Sequence, residues 1–536
     1  MTTAGANPRR ANDAVRIAAI DIGSNSIRQI IADVSESGAI RVVDEMKAAP
    51  RLGAGIHETG KLSDASMDEA VAVLTRMATL ARQLGAKRIR AVATSAVRDA
   101  ENGAEWLARV RTETGLRPVV LKGEDEARLG FHSALAHFDL ESGRAVVIDI
   151  GGGSLELVMS ADGLVEHMIS LPLGALRLTE RYFSGGIRPA AMKKLRGMLR
   201  KKLRDALPVK DWRGAQLIGS GGTFTNLAGV VLARHGMHTA RTVHGTVVSR
   251  VELEHVLESL QALSAAERRT APGLNPARAD IIIAGLAVVA EVAARLEARD
   301  LVVSSYGIRE GILLELARIK PKRADRGDAR QRSVRQLAER THFEEPHARH
   351  VQKLALCIFD SIGERLGCAP HERQTLADAA LLHDIGYHIN YDKHHKHSYH
   401  LISHAELLGM TPAEQMLIAN VARYHRGAAP RKSHSNYWSL SAAGRITVTR
   451  LSAILRVADG FDRGHASGVS QIRVRWLERA LRLIAVPATD ATSIRLELWG
   501  ASKKSPLLSE VAGLPVEIVG PRGVTFEHLE DGKPAD

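Results

Sequence analysis

The sequence is poor in cysteine and contains no long apolar run. Only two cysteines, Cys357 and Cys368, occur in 536 residues, too few for a disulfide framework, which indicates a reducing cytoplasm. The longest apolar stretch, from Ile281 to Ala290, ends at Glu291 and is too short to span a bilayer. The opening residues MTTAGANPRRANDAV include no apolar core, so we expect no signal peptide. These absences favour a cytoplasmic protein without a membrane segment.

Cations outnumber anions in the chain. There are 73 Lys and Arg against 60 Asp and Glu, a net charge of +13. An excess of this size suggests a polyanionic partner, which could be nucleic acid, an acidic membrane, or a phosphate-rich small molecule or polymer. Many basic proteins bind no anion, however, so the charge alone leaves the question open and the motifs have to decide it.

Two stretches of the amino-terminal half repeat one pattern. IAAIDIGSNSIRQIIADV begins at Ile17, and AVVIDIGGGSLELVMSA begins at Ala145. Their aspartates, Asp21 and Asp149, are 128 residues apart, and the same offset relates the first glycine and the serine of each loop. Chance seldom keeps register over so many positions. The repeat therefore predicts a duplicated unit.

Each copy has the residue types of an anion-binding turn. A strand that ends in aspartate brings a carboxylate to the carboxyl edge of a sheet, where open α/β sheets bind ligands. The glycines that follow allow backbone N–H groups to approach an anion. Two such loops facing each other would hold a chain of phosphates, while Asp21 and Asp149 would bind a hard cation through oxygen. A single turn of this kind is usually only a tight turn, so the prediction depends on the pair.

The hydrophobic pattern predicts four folded regions, as the chain length also suggests. Strands and helices alternate twice, and a third glycine-rich turn, AQLIGSGGTFTNLAG, lies in the second region. RIKPKRADRGDARQRS then reads as a linker or an exposed helix start. Near the end, QIRVRWLERALRLIAVP and SIRLELWG alternate like strands of a small sheet. The predicted order is a disordered tail (1–14), two α/β regions (15–140 and 141–320), a helical region (330–465), a small α+β region (466–525) and a loose tail (526–536).

Six segments together resemble a known family. AIDIGSNSIRQIIADV, AVATSAVRDAENG, LKGEDEARLG, VIDIGGGSLELV, LIGSGGTFTNLA and SSYGIREGILLE are similar, in this order, to the motifs of the exopolyphosphatase and guanosine pentaphosphatase family. That family belongs to the actin and sugar-kinase superfamily. The resemblance spans about residues 15–316 and implies two duplicated ribonuclease H-like domains, followed by the helical and small α+β domains of the longer members.

The resemblance also implies roles for individual residues. Glu126 would be the general base that orients and deprotonates the attacking water, and Arg98 would stabilise the transferring phosphoryl group. Mg²⁺ would be coordinated by Asp149, with Glu156 as the second acidic group and Asp21 on the opposite loop. The phosphate-binding walls would consist of Asp21, Gly23, Ser24, Asn25, Ser26, Thr94, Ser95, Gly151, Gly152, Gly153, Ser154, Gly221, Gly222 and Thr223.

Simpler interpretations of some of these residues remain open. The acids of GEDEAR, which include Glu126, could merely favour the dipole of a helix at its first turn. Arg98 could pair with Asp99. Arg309 and Glu310, in the YGIREG segment, are interpreted as a structural ion pair and are left out of the catalytic set.

The helical region is rich in histidine, with nine from His383 to His434. The adjacent His383 and Asp384 resemble the HD phosphohydrolase superfamily, which implies a divalent metal site completed by His347 and Asp459. Nitrogen and oxygen ligands suit Mn²⁺, Mg²⁺ or Fe²⁺, and zinc also fits. Three further histidines could line this site: His397, His400 and His425. Alternatively, the helical skeleton is kept for packing, or its basic loops DKHHKHSYH and RYHRGAAPRKSH extend a channel for a long anion or bind nothing.

The sequence thus predicts a cytoplasmic, Mg²⁺-dependent exopolyphosphatase that removes terminal phosphate processively from inorganic polyphosphate. Hydrolysis of guanosine pentaphosphate to tetraphosphate is the alternative within the family. A non-catalytic sensor of such anions that regulates the HD-like domain is the alternative of another class. A kinase is not favoured, because the sequence shows no adenosine-binding pocket. The family resemblance implies a homodimer, and neither a membrane nor nucleic acid is an expected partner.

Overall fold

The structure is a computed structural model that describes most of the chain. The described residues are 14–35, 40–138, 140, 143–208, 210, 212–237, 242–318, 326–405, 407, 409–489 and 493–525. Apart from Ala14, the two predicted tails lie outside them. The chain divides into two compact units: Met1–His238 with Val243–Arg326, and Thr239–Thr242 with Gly327–Asp536.

The first unit begins with a five-stranded sheet of order β3-β2-β1-β4-β5. Its strands are β1 (Val15–Ile22), β2 (Ile27–Val34), β3 (Ile40–Ala48), β4 (Arg88–Ala93) and β5 (Val119–Val120). The helices of this part are α1 (Ile56–Thr59), α2 (Asp64–Gln83), α3 (Ser95–Asp99), α4 (Gly103–Thr114) and α5 (Gly123–Leu135).

A six-stranded sheet of order β10-β11-β9-β6-β7-β8 follows in the same unit. Its strands are β6 (Arg144–Ile150), β7 (Leu155–Ala161), β8 (Leu164–Leu171), β9 (Gln216–Ser220), β10 (Val247–Ser249) and β11 (Asp300–Val303). The helices are α6 (Ala175–Phe183), α7 (Pro189–Ala206), α8 (Gly222–Arg234), α9 (Arg250–Ala262), α10 (Ala265–Arg269), α11 (Ile282–Arg295) and α12 (Ile308–Leu316), with a 3-10 turn at Pro276–Arg278.

The two sheets share one topology. In each, a first strand pairs antiparallel with the next strand along the chain and parallel with a strand reached through a crossover. This agreement explains the repeat in the sequence. Strand β1 is buried on both faces, because Ile20 and Ile22 pack into one core and Ile17 and Ala19 into another.

Two helices join the sheets into one body. In α5, Phe131 packs with Val147 and Val158 of the second sheet. In α12, which follows the second sheet in the chain, Ile312 packs with Ile17 and Ala19 of the first sheet. The boundary predicted near residue 140 therefore does not separate two independent cores.

The longest apolar stretch lies inside the first unit. Helix α11 is buried, and its Glu291 is neutralised by Arg196 and Arg200, whose Nε atoms lie 2.5 and 2.9 Å from the carboxylate. No helix among the described residues combines the length and the apolar character needed to cross a membrane.

The second unit is mainly helical. Its helices are α13 (Arg326–Arg340), α14 (Glu345–Ile362), α15 (Glu372–Leu382), α16 (His394–His404), α17 (Pro412–Arg423), α18 (Ser435–Trp438), α19 (Ala442–Gly460), α20 (Arg495–Lys504) and α21 (Pro506–Ala512), with 3-10 turns at Ile385–His388 and Pro521–Gly523. Helix α14 shows why they pack: Val351, Leu354 and Ile358 recur at helical spacing and are fully buried.

A three-stranded sheet completes this unit, in the order β12 (Val469–Trp476), β13 (Leu481–Pro487) and β14 (Val516–Val519). The prediction that SIRLELWG is a strand is wrong, since most of it lies in α20. Ile494, Leu498 and Ala501 are buried at helical spacing, while Leu496 and Trp499 are exposed by 49% and 40%. The alternation of apolar residues was misleading, because burial here follows a period of 3.6 residues.

Candidate active site

The two repeated turns have the same backbone form. After β1 the N–H of Gly23 donates to the carbonyl of Ser26 over 3.1 Å, and after β6 the N–H of Gly151 donates to the carbonyl of Ser154 over 3.0 Å. Each turn reverses the chain into an antiparallel strand. The reversal after β6 places Glu156 opposite Asp149, as the sequence predicts.

The structure brings the two turns into contact. A Cβ added to Gly152 would lie 2.9 Å from the backbone nitrogen of Asn25, and one added to Gly153 would lie 2.1 Å from Oγ of Ser95. Ser24 and Ser95 are themselves hydrogen-bonded, Oγ to Oγ, at 2.9 Å. Only glycine fits at positions 152 and 153, because the two turns approach each other so closely. The loops that the sequence predicts to face each other do so.

The third glycine-rich turn lies against Asp149. Ser220 donates a hydrogen bond from Oγ to Oδ2 of Asp149 over 3.0 Å. Gly221 has a φ of 87°, and an added Cβ would lie 2.6 Å from the other carboxylate oxygen. Thr223 is buried, and its hydroxyl has no hydrogen-bond partner among the described residues. Its Oγ1 lies against α11, where a Cβ added to Gly285 would be 2.7 Å away.

Glu126 lies at the first turn of α5, yet it differs from its neighbours there. Glu124 is exposed, and Asp125 forms a surface ion pair with Arg128 at 3.0 Å. Glu126 is buried and lies 3.4 Å from Nη1 of Arg98. The helix-dipole interpretation fits the first two acids, whereas the third is directed inward.

Arg98 contacts more than one partner. Its Nη1 also donates to the carbonyl of Leu121 over 2.8 Å, and its Nε lies 3.6 Å from Asp99. Asp99 makes its closer contact with Arg177, at 2.5 Å. The simple pair of Arg98 with Asp99 therefore exists, but it leaves Arg98 directed at Glu126.

The buried carboxylates repel one another. Burial, reinforced by Glu156 and Asp21, raises the pKa of Glu126 well above its usual value. Burial and the charge of Asp149 raise the pKa of Glu156 to about 8, even though Ser170 donates to its Oε1 over 3.1 Å. Burial likewise raises the pKa of Asp21 to about 6, with Asp149 adding to the shift. Burial and the mutual repulsion of the carboxylates therefore outweigh the arginines around them.

These acids fit a hard divalent cation. Oδ1 of Asp21 is buried without a hydrogen-bond partner among the described residues. Glu156 and Asp149 lie opposite each other on paired strands. Mg²⁺ prefers carboxylate oxygens and keeps part of its water shell for phosphate oxygens. The donor set therefore suits the predicted ion.

A group of four cationic side chains lies beside the acids, and the sequence did not predict it. Burial, together with Arg28, Arg278 and Arg309, lowers the pKa of Lys47 to about 8. Arg28 pairs across the strands with Asp21 and so occupies the position that Glu156 has in the other repeat. The 128-residue offset would have singled out Arg28. We call these four residues the cation group.

The other members of the group come from distant parts of the chain. An added Cβ on Gly222 would lie 2.0 Å from the guanidinium carbon of Arg278, so this arginine lies directly over the third loop. Arg309 does pair with Glu310 at 3.5 Å, as interpreted from the sequence, and with Glu45 at 3.0 Å. It also acts electrostatically on Asp21.

The four residues predicted as an HD-like metal site are close together in the second unit. Nε2 of His347 lies 3.6 Å from Oδ2 of Asp384 and 3.8 Å from Oδ1 of Asp459, and Nε2 of His383 lies 3.4 and 3.9 Å from the same two oxygens. Asp384 and Asp459 line a cavity of about 260 Å³, and the two histidines lie behind them. His425 is part of this cluster.

The surroundings of the cluster differ in part from the prediction. His394 lines the cavity beside His425, whereas neither His397 nor His400 lines it. His400 is exposed and packs its ring near His404. Helix α16 begins at His394, so the site lies at its first turn, and residues farther along point elsewhere. Lys504 of α20 forms an ion pair with Asp459, a contact that the strand prediction for SIRLELWG could not foresee.

The two sheets of one topology, with carboxylates and cations at their turns, are typical of the actin-like fold. Residues 30–319 match the model of the Ppx/GppA phosphatase family, and residues 329–484 match that of Ppx/GppA phosphatase, domain III. The first match alone spans more than half of the chain. The protein belongs to the Ppx/GppA phosphatase family.

Individual relatives carry two different names. A guanosine-5'-triphosphate,3'-diphosphate pyrophosphatase from Pseudoalteromonas atlantica is 26% identical over 452 residues, which is 82% of this chain and 86% of the relative. The structure of an exopolyphosphatase from Cytophaga hutchinsonii is 25% identical with a TM-score of 0.52, and that of an exopolyphosphatase-like protein is 28% identical with a TM-score of 0.53. Each covers 57% of this chain and 99% of its own.

Proposed function

We propose that the protein is an exopolyphosphatase, which hydrolyses the terminal phosphoanhydride bond of inorganic polyphosphate with Mg²⁺. The observation that carries the proposal is a group of buried carboxylates with raised pKa values that lies beside the cation group at the same turns. A cation bound by the acids and phosphates bound by the bases would neutralise both. The family membership and the exopolyphosphatase neighbours support the same chemistry.

The acids divide into two roles. Asp21, Asp149 and Glu156 would hold Mg²⁺, which when bound neutralises charge on the phosphate oxygens. Glu126 would hold the attacking water and accept its proton. Burial raises the pKa of Glu126, and a base with a raised pKa accepts a proton more readily near neutral pH. Arg98, 3.4 Å from Glu126, would bind the transferring phosphoryl group as charge shifts toward its oxygens.

The cation group favours a long anion as substrate. The four members of this group, Lys47, Arg28, Arg278 and Arg309, act electrostatically on one another. Arg28 also acts on Asp21 and on Asp149, the aspartates of the two repeated turns. A terminal phosphate at the acids would leave the following phosphates of a chain beside these side chains. Because screening by salt weakens such attraction, the KM for long polyphosphate should rise with ionic strength.

The relative from Pseudoalteromonas atlantica gives the alternative. Its name describes a guanosine pyrophosphatase, and the match extends over 82% of this chain. Removal of the terminal phosphate of guanosine pentaphosphate would use the same acids. The amount of orthophosphate released from long polyphosphate, short polyphosphate and guanosine pentaphosphate, measured with Mg²⁺, tests the proposal. Higher kcat/KM for guanosine pentaphosphate than for either polymer would replace the main proposal by the alternative.

A sensor without catalysis is the remaining alternative. It would bind these anions and release no phosphate, whatever the metal. Release of orthophosphate that depends on Mg²⁺ excludes it. The homodimer and the cytoplasmic location stay predictions, and the molar mass in solution checks the first of them.

A further inference from the structure

The first turn of α6 binds carbonyl groups of the second repeated turn. The N–H of Ala175 donates to the carbonyl of Gly151 over 3.0 Å. The N–H groups of Leu176 and Arg177 donate to the carbonyl of Gly152 over 2.9 and 3.1 Å. Among the described residues, no side chain caps the start of this helix and no acid lies in its first turn. The carbonyls of the repeated turn therefore satisfy N–H groups that a helix start leaves without partners.

The side chain of Arg177 binds the next carbonyl of the same turn. Its Nε donates to the carbonyl of Gly153 over 3.0 Å. Gly174, which precedes the helix, lies so close that a Cβ added to it would be 2.3 Å from the carbonyl carbon of Gly153. Helix α6 thus binds three successive carbonyl groups of one turn, two through its main chain and the third through a side chain.

The orientation of these carbonyls fixes the direction of the N–H groups between them. No cis peptide bond occurs among the described residues, and in a trans peptide the N–H points away from the C=O. The N–H groups of Gly152, Gly153 and Ser154 therefore face away from α6. Within the described chain, none of the three donates a main-chain hydrogen bond. Successive N–H groups that point to one side form a concave site for an anion.

The corresponding turn of the first repeat is held differently. The carbonyl of Ser24 accepts from the N–H of Gly53 over 2.7 Å. In the part of the chain that the structure describes, no helix start and no arginine side chain binds the carbonyls of this turn. The two turns have the same backbone form, but the second is the more closely fixed.

Arg177 also links the second turn to the other side of the site. Its Nη2 lies 2.5 Å from Oδ2 of Asp99, whose Oδ1 lies 3.6 Å from Nε of Arg98. Arg98 in turn lies 3.4 Å from Glu126. Because one planar guanidinium makes both contacts, it fixes Asp99 relative to the turn. The single ammonium group of a lysine does not reproduce this planar pair of contacts.

We propose that Arg177 is a positioning residue for the hydrolysis of the phosphoanhydride bond. It turns the N–H groups of residues 152–154 toward the reacting phosphate and, through Asp99, holds Arg98 in place. Donors that are fixed before the reaction stabilise developing charge without reorganisation. This role rests on the proposed function, because it assigns these N–H groups to the phosphate that is released.

Steady-state kinetics with long polyphosphate and Mg²⁺ test this role. Arg177→Met makes neither contact, and we expect kcat to fall about 10 to 10²-fold, somewhat less than for direct loss of an oxyanion donor. KM should change less than about threefold, because the cation group still binds the following phosphates. Arg177→Lys should show a similar fall in kcat, since charge alone does not restore both contacts.

The control is Arg181→Met, which changes an exposed arginine of the same helix and should leave kcat unchanged. An unchanged kcat in Arg177→Met would overturn the proposal, and so would wild-type activity in Arg177→Lys. Melting curves show which variants are folded. If Arg177→Met melts far below the wild type, Arg177→Lys, which keeps the charge, takes its place.

A double-mutant cycle tests the link to Arg98. If Arg177 holds Arg98 through Asp99, Arg177→Met should lower kcat by a smaller factor in an Arg98→Met background than in the wild type. A packing defect unrelated to Arg98 would lower kcat by the same factor in both backgrounds. Equal factors would therefore overturn the link through Asp99.

Amide hydrogen exchange separates this role from the proposed function. Glu126→Gln, with and without the second change Arg177→Met, is measured in the absence and presence of saturating tripolyphosphate and Mg²⁺. The ligand should slow exchange at residues 152–154 in Glu126→Gln, and clearly less in the double variant. Equal protection in the two proteins, or none in Glu126→Gln, would overturn the proposal. If the wild type releases no orthophosphate, the proposed function fails, while the exchange comparison still decides the role of Arg177.

Discussion

The two units each bury a cluster of carboxylates, but the clusters are balanced in opposite ways. In the amino-terminal cluster burial and mutual repulsion raise the pKa of Asp21 to about 6 and that of Glu156 to about 8. In the carboxy-terminal cluster burial also opposes the charged form. There, however, neighbouring histidines lower the pKa of Asp384, and Lys504 and two histidines lower that of Asp459.

The difference shows two ways to prepare a site for a cation. The pKa values of the carboxy-terminal acids are lowered because Lys504 and the histidines around them favour the ionised form. The amino-terminal acids also have cationic neighbours, since Arg28 acts on both Asp21 and Asp149. Burial nevertheless raises their pKa values, so the fold holds these charges at a cost that a bound cation removes.

Substitution of the base should have the largest effect. Glu126→Gln keeps the shape of the side chain but cannot accept a proton from water. We expect kcat to fall by about 10² to 10⁴-fold, with binding of polyphosphate retained. Orthophosphate release gives the rate, and titration with polyphosphate gives the affinity. Glu124→Gln, on the exposed side of the same turn, is the matched control. A fall in kcat of the same size in this control would contradict the assignment.

Substitution in the cation group should affect substrate binding more than the chemical step. Lys47→Met removes one charge that faces the phosphates, and we expect KM for polyphosphate to rise about tenfold with little change in kcat, as for one charged hydrogen bond. Lys61→Met is the control, because Lys61 is exposed by 61%. An unchanged KM would remove the cation group from the binding surface.

The pH dependence sharpens this prediction. Burial and the three neighbouring arginines lower the pKa of Lys47 to about 8, so the free protein loses this charge as the pH rises through that value. The KM of the wild type should therefore rise between roughly pH 7 and 9, and the KM of Lys47→Met should change less. Parallel profiles for the two proteins would contradict the role of Lys47.

The last expected effect concerns stability and not catalysis. The pKa of Glu156 is about 8 in the folded protein and 4.5 at its usual value, so the folded state binds an extra proton between these limits. Stability without metal should consequently fall as the pH rises through this window. Glu156→Gln lacks the charge and should be more stable than the wild type at pH 7 by on the order of 1 to 3 kcal/mol. The wild type and Glu156→Gln are compared by urea unfolding in the presence of a chelator. If their midpoints are equal, the charge of Glu156 does not destabilise the folded protein.

Much of the amino-terminal site could be predicted because its signals are local. The aspartate-glycine turns, their repeat and the strand–turn–helix order of LIGSGGTFTNLA depend on neighbours in sequence. Even the position of Glu156 followed, since a chain reversal after Asp149 fixes which residue lies opposite.

The parts that failed depend on contacts between distant segments. Lys47, Arg278 and Arg309 come together only through the packing of three separate elements, and each alone looks like an ordinary surface cation. His394 enters the second site because α16 begins there, a boundary that a histidine-rich segment does not reveal. The alternation of apolar and polar residues in SIRLELWG resembled that of a strand, because a short helix with one buried face can have the same sequence pattern.

The most direct test of the central claim compares the two clusters in one assay. Orthophosphate release from polyphosphate with Mg²⁺ is measured for the wild type, for Glu126→Gln and for His383→Ala. The account predicts that Glu126→Gln lowers the rate far more than His383→Ala does. A rate that collapses in His383→Ala and persists in Glu126→Gln would contradict it, and the hydrolysis would belong to the carboxy-terminal unit.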